Sequence, residues 1–164
     1  MIEKIIGLDM GIKFFLTDSD GRQIENPKFY KKTLERIKIA QRRLSRTKKG
    51  SNNRERQIMQ LAKLHQRLTN QRNDFLHKLS RYYVNNYELI VIEDLNVKGM
   101  MKDYHLAQSI LDASWSKFFG MPSYKAESAG KIVVKVNPRG TSKEYTLISI
   151  SHRYRSIYSC LARA

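Results

Sequence analysis

The chain has 164 residues, 41% of them apolar and 10% aromatic, which is enough to bury the core of one ordinary domain and too much for a disordered chain. It carries 31 Lys and Arg against 15 Asp and Glu, a formal charge of +16, and a single cysteine, Cys160. One cysteine excludes an internal disulfide and a cysteine-rich zinc site, and no apolar run approaches the roughly 20 residues of a membrane span. The N-terminus also lacks a secretory apolar segment, so a cytoplasmic location is expected.

In chain order, Ile5 to Met10 reads as a first strand and Ile12 to Thr17 as a second. Asp18-Ser19-Asp20-Gly21 makes the turn to a short third strand, Gln23 to Glu25, which Asn26-Pro27 ends. A helix with an inward stripe of Leu34, Ile37, Gln41 and Leu44 follows, stopping at Lys48-Lys49-Gly50. Ser51 or Asn52 can cap a second, long helix, in which Ile58, Leu61, His65, Leu68, Arg72, Phe75, Leu79 and Tyr82 recur at heptad spacing, with Leu64 and Leu76 broadening the stripe. The two helices are expected to lie antiparallel.

Asn85-Asn86 breaks the long helix before a strand, Leu89 to Glu93, and Asn96 to Met101 reads as a loop. A helix from about Ala113 to Ala129 should kink at Gly120 and Pro122, and Ile132 to Val136 forms a last strand. Beyond Leu147 the chain turns to Ser, Arg and Tyr without periodicity. The order suits an α/β fold with a mixed sheet in which the fourth strand lies parallel to the first and beside it, an RNase H-like arrangement.

Two features carry chemistry. Asp9 and Glu93 each close an apolar strand, 84 residues apart. A carboxylate there is costly unless a local donor caps it or it holds a cation. On neighbouring strands the two acids would supply hard oxygen ligands for magnesium; alternatively Asp9 caps the turn at Gly11 and Glu93 or Asp94 the loop that follows. The second feature is charge density. Between Lys31 and Arg81 stand sixteen basic residues and three acids, with few aromatics between them. That composition favours phosphate contacts over base stacking, with Arg42, Arg43, Arg46, Lys48, Lys49, Arg54, Arg56, Lys63 and Arg67 on the outside; the bland alternative is a solvated helix surface. His65 and His77 read as packed or surface histidines.

Gly7-Leu8-Asp9-Met10-Gly11, Glu25-Asn26-Pro27-Lys28-Phe29, Gln41 to Arg46, Lys49 to Arg54 and Val91 to Met100 resemble TnpB, the OrfB-type transposon protein related to type V CRISPR effectors. The likeness continues through Ser114-Trp115, Tyr124 to Glu127 and Val136-Asn137-Pro138 with Thr141-Ser142. It implies a RuvC-type nuclease domain, magnesium-dependent cleavage of DNA and a guide RNA as partner, with Asp9 and Glu93 as the first two catalytic acids and metal ligands. On this reading residues 1–145 are a partial RuvC-like domain with a basic helical hairpin inserted at 30–84, and residues 146–164 are a tail unlike the family. The family's paired cysteines have no counterpart, since Thr146-Leu147 stands where the first is expected, so no zinc is expected. No acid follows Glu144, so the third ligand is absent and the C-terminal part of the fold is incomplete. The resulting expectation is a truncated, catalytically impaired copy that binds magnesium weakly or not at all and meets DNA and RNA at the nucleoid. A non-catalytic nucleic-acid binder and a product without function are the alternatives.

Overall fold

The computed structural model describes residues 2–136. The chain divides into two compact units, Met1–Pro27 with Leu76–Ala164, and Lys28–Phe75.

Among the described residues of the first unit, β1 (Ile5–Met10), β2 (Phe14–Asp18), β3 (Gln23–Glu25), β4 (Leu89–Glu93) and β5 (Ile132–Val136) form one mixed sheet in the order β3-β2-β1-β4-β5. β1, β2 and β3 are an antiparallel meander, whereas β4 runs parallel to β1, and β5 parallel to β4. The parallel centre explains the sequence of β4: Leu89, Ile90, Val91 and Ile92 are all 0% exposed, because a strand covered on both faces needs apolar residues at every position. The turn after β2 forms as expected. Asp18 Oδ1 accepts from Arg22 N (2.8 Å), its carbonyl accepts from Gly21 N (3.0 Å), and Gly21 has φ 84°, which glycine adopts at little cost.

The second β-strand differs from expectation at both ends, running from Phe14 to Asp18 rather than from Ile12 to Thr17. The chain between β1 and β2 is held by Gly11 N donating to Phe15 O (3.3 Å), and a Cβ on Gly11 would lie 3.1 Å from Phe14 O. That closeness keeps the link tight and delays the start of β2.

Residues Val97–Met100 form a single helical turn, α3, where a loop was expected, with Asn96 Oδ1 accepting from Gly99 N (2.9 Å). A helix that the periodicity did not single out, α4 (Tyr104–Ala113), precedes α5 (Trp115–Ser128). The helix break falls at Ser114, which takes the left-handed conformation (φ 56°, ψ 40°). α5 then continues through Gly120 and Pro122. Proline there removes one backbone bond, but Trp115, Phe118, Met121 and Ala126 are buried along the same helix and offset it. Phe118 meets Phe15 of the sheet edge-on, with ring centroids 5.4 Å apart.

The Lys28–Phe75 unit contains α1 (Phe29–Ser45) and most of α2 (Asn52–Asn86), whose last turns belong to the sheet unit. The helices are antiparallel: Phe29, opening α1, packs edge-on against Phe75, whereas Arg54, near the start of α2, reaches the end of α1. Ser51 Oγ caps α2 by accepting from Arg54 N (3.3 Å). The inward stripe of α2 differs from the heptad reading. Leu61 and Leu64 are half-buried and Leu68, Leu76, Leu79 and Tyr83 buried, while Ile58, His65 and Tyr82 are exposed. A straight helix drifts about 20° per heptad, so a strict seven-residue rule walks off the buried face over this length. In α1, Ala40 rather than Gln41 takes the inward position.

Candidate metal centre and nucleic-acid surface

The registers of β1 and β4 pair Ile5 with Leu89, Ile6 with Ile90, Gly7 with Val91 and Leu8 with Ile92. One step further on the same offset stand Asp9 and Glu93. Parallel strands in constant register put paired positions on the same face, so the two carboxylates belong to one side of the sheet, at the carboxyl ends of its two central strands. Asp9 is also paired with Thr17 of β2, and Glu93 with Val136 of β5. The row Thr17, Asp9, Glu93, Val136 therefore crosses four strands.

Asp9 is exposed between two buried neighbours, Leu8 and Met10. Partial desolvation nevertheless raises its carboxyl above the ordinary aspartate pKa. The turn that follows is closed by Gly11 N on Phe15 O rather than by this carboxylate. Glu93 is half-buried, and Asp94 beside it is exposed.

Asp18 behaves differently, although it too ends a strand beside the centre of the sheet. It is 5% exposed and accepts from Tyr83 Oη (2.9 Å) as well as from Arg22 N (2.8 Å). Asp20 accepts from Tyr87 Oη (2.5 Å), and the Arg22 guanidinium lies 4.4 Å from the Tyr82 ring centroid. This polar latch ties the β2–β3 turn to the last turns of α2. Nothing in the sequence marked it, since its partners lie 65 and 67 residues apart.

Two carboxylates fit one divalent cation that keeps several waters. Among the described residues no group of three or more His, Cys, Asp or Glu side chains could hold a metal ion.

On the helical hairpin, Arg42, Arg43, Arg46, Lys48, Lys49, Arg56, Lys63 and Arg67 are all exposed. Arg54 is half-buried instead. Its Nη1 donates to Leu44 O (3.3 Å), Thr47 O (3.4 Å) and Thr47 Oγ1 (3.5 Å), covering carbonyls left open at the end of α1. Arg36 was not among the expected contacts, yet it lines the same groove as Arg43, Lys63 and Arg67. Its place seven residues before Arg43 was the available signal.

The sequence profile of the OrfB_IS605 family, described as "Probable transposase", matches residues 2–103. This chain belongs to that family. A second profile, "Cas12f1-like, TNB domain", matches residues 115–163. That match runs over the segment set apart above as a tail, which lies outside the described residues. Among curated relatives, a Streptomyces pristinaespiralis protein named "Putative RNA-guided DNA endonuclease" is 40% identical over 132 residues, 80% of this chain and 33% of its own length. Escherichia coli K12 has "Putative RNA-guided DNA endonuclease InsQ", 34% identical over 154 residues, 85% of this chain and 38% of its own. The chain thus spans 33% and 38% of the lengths of these two relatives. Asp9, Glu93 and the whole basic hairpin fall inside the OrfB match. Among the described residues no helix is long and apolar enough to cross a membrane.

Proposed function

We propose that this OrfB-family chain contributes the metal-binding half-site of a RuvC-type, RNase H-like DNA nuclease, with Asp9 and Glu93 as its cation ligands. The observation that carries the reading is the constant β1–β4 register up to Leu8 and Ile92, after which Asp9 and Glu93 follow at the same offset on parallel strands. The partial desolvation that raises the Asp9 carboxyl supports it further, because a dication at that point would favour the ionised carboxylate. Bound magnesium would polarise a phosphodiester and activate a water. The protein's own part is to hold two oxygen ligands on rigid strands and to bind phosphates through the hairpin. The relatives' printed names support a guide RNA and a DNA target as partners. Base pairing would then read the sequence while Lys and Arg hold backbones.

A second reading, nucleic-acid binding with little cleavage, is favoured by the two-carboxylate donor set among the described residues. We therefore expect this chain by itself to cleave poorly. The test is single-turnover hydrolysis of labelled single-stranded DNA by the full chain with Mg²⁺. Weak cleavage abolished by Asp9→Asn and by Glu93→Gln is the expected result. Cleavage that survives both substitutions would place the chemistry elsewhere.

A further inference from the structure

A groove of about 410 Å³ runs between α1 and α2, wholly inside the Lys28–Phe75 unit. Its lining includes Arg36 and Arg43 from α1 and Lys63 and Arg67 from α2, with no acidic residue. Ile39 and Leu64 lie between these cations, and Ile39 is 45% exposed. Arg36, Ile39 and Arg43 follow at three- and four-residue steps, which places them on one face of α1. Lys63, Leu64 and Arg67 share a face of α2 in the same way. A rise of 1.5 Å per residue sets Arg36 and Arg43 about 10 Å apart along α1, and Lys63 and Arg67 about 6 Å apart along α2.

Four like charges around one cleft repel one another unless an anion joins them. Phosphate contact alone needs no apolar floor, yet this groove has one. Duplex DNA keeps its bases stacked inside and offers such a floor little to bind, whereas a single strand can turn a sugar and base outward between consecutive phosphates. The volume falls in the range of sites that take nucleotide-sized groups.

We propose that this groove seats one nucleotide of a single-stranded nucleic acid, its sugar and base against Ile39 and Leu64 and its flanking phosphates on Arg36, Arg43, Lys63 and Arg67. The proposal rests on the nucleic-acid reading of the hairpin given above and assigns the contact to one face of it. No aromatic ring lines the groove, so the base packs on aliphatic side chains rather than stacking.

The test is fluorescence anisotropy on the full chain with a labelled oligodeoxythymidylate and with a duplex of equal length, across a range of salt. The pair Arg36→Gln and Arg67→Gln should lower single-strand affinity at least about tenfold and reduce the slope of log K against log salt by about 1.4. The pair Lys49→Gln and Arg56→Gln, an equal charge change at the hairpin tip, should lower it by no more than about threefold. Ile39→Asn should weaken the single strand and leave both duplex binding and the salt slope as they were. Circular dichroism melts confirm that each variant is folded. Equal losses from the two charge pairs, no effect of Ile39→Asn, or a preference for the duplex would each overturn the groove assignment while leaving the hairpin a nucleic-acid surface. A wild-type chain that binds neither probe would overturn both readings.

Discussion

Asp9 and Asp18 lie at the ends of adjacent strands and have opposite fates. Asp18 is buried, with Tyr83 Oη on one oxygen and Arg22 N on the other. Removing the Tyr83 hydroxyl strips a donor from a buried carboxylate, so Tyr83→Phe should cost about 1–3 kcal/mol in urea denaturation. Burial first, then the hydrogen bond to Asp18 and its charge, push the Tyr83 hydroxyl well above the usual tyrosine range. The sign follows from proton uptake. Above about pH 10 an unfolded tyrosine loses its proton while folded Tyr83 keeps it, so the wild type's advantage over Tyr83→Phe is full below that pH and shrinks above it. Stability measured for both chains from pH 8 to 11 checks this.

Asp9 carries the opposite lesson. Its pKa is raised, so the folded state favours the neutral acid, and its contribution to stability falls as pH rises from the unfolded value of about 3.9 through the raised one. At neutral pH without metal, Asp9→Asn should therefore melt at a higher temperature than the wild type, and added Mg²⁺ should narrow the gap. Stabilisation on removing a charged group is expected of a site kept for function. A lower melting temperature for Asp9→Asn in metal-free buffer would make the carboxylate structural.

Among the elements, the strands were the most legible. Ile5–Met10, Gln23–Glu25, Leu89–Glu93 and Ile132–Val136 were all read with their observed limits, because each is a short apolar or alternating run between turn residues. Helices were less so where local signals compete with burial. Pro122 advertises a kink but lies inside a helix anchored by Trp115 and Phe118, whereas the break falls at Ser114, a residue with no sequence mark for a positive φ. Arg54 shows the same limit for charge. It reads as one more phosphate contact, and tertiary placement turns it into a cap. Arg54→Ala should cost the hairpin about 1–2 kcal/mol and speed hydrogen exchange of amides near Thr47 and Ser51, with little change in nucleic-acid affinity. A loss of affinity without faster exchange would return Arg54 to the binding surface.

For the whole molecule, the charge of +16 is the signal that needed no structure, and it predicts a polyanionic partner with strong salt dependence. The matching strand positions of Asp9 and Glu93 were legible for a simpler reason. Parallel strands keep one offset, so two acids separated by the spacing that pairs β1 with β4 stand one step beyond the last registered pair, Leu8 with Ile92. The groove was not legible, because it needs the antiparallel pairing of α1 and α2 to bring Arg36 and Arg43 opposite Lys63 and Arg67. Family membership adds to the chain's own residues without replacing them, since the chain covers 33% and 38% of the two relatives' lengths.

A cation shared by Asp9 and Glu93 is read directly by Mn²⁺ titration followed by electron paramagnetic resonance. The wild type should bind one Mn²⁺, displaced by Mg²⁺ and lost as pH falls through the raised pKa of Asp9. Asp9→Asn and Glu93→Gln should each weaken binding by about tenfold or more, and Asp94→Asn should not. Equal Mn²⁺ binding by all four chains, or none by the wild type, would contradict the metal half-site.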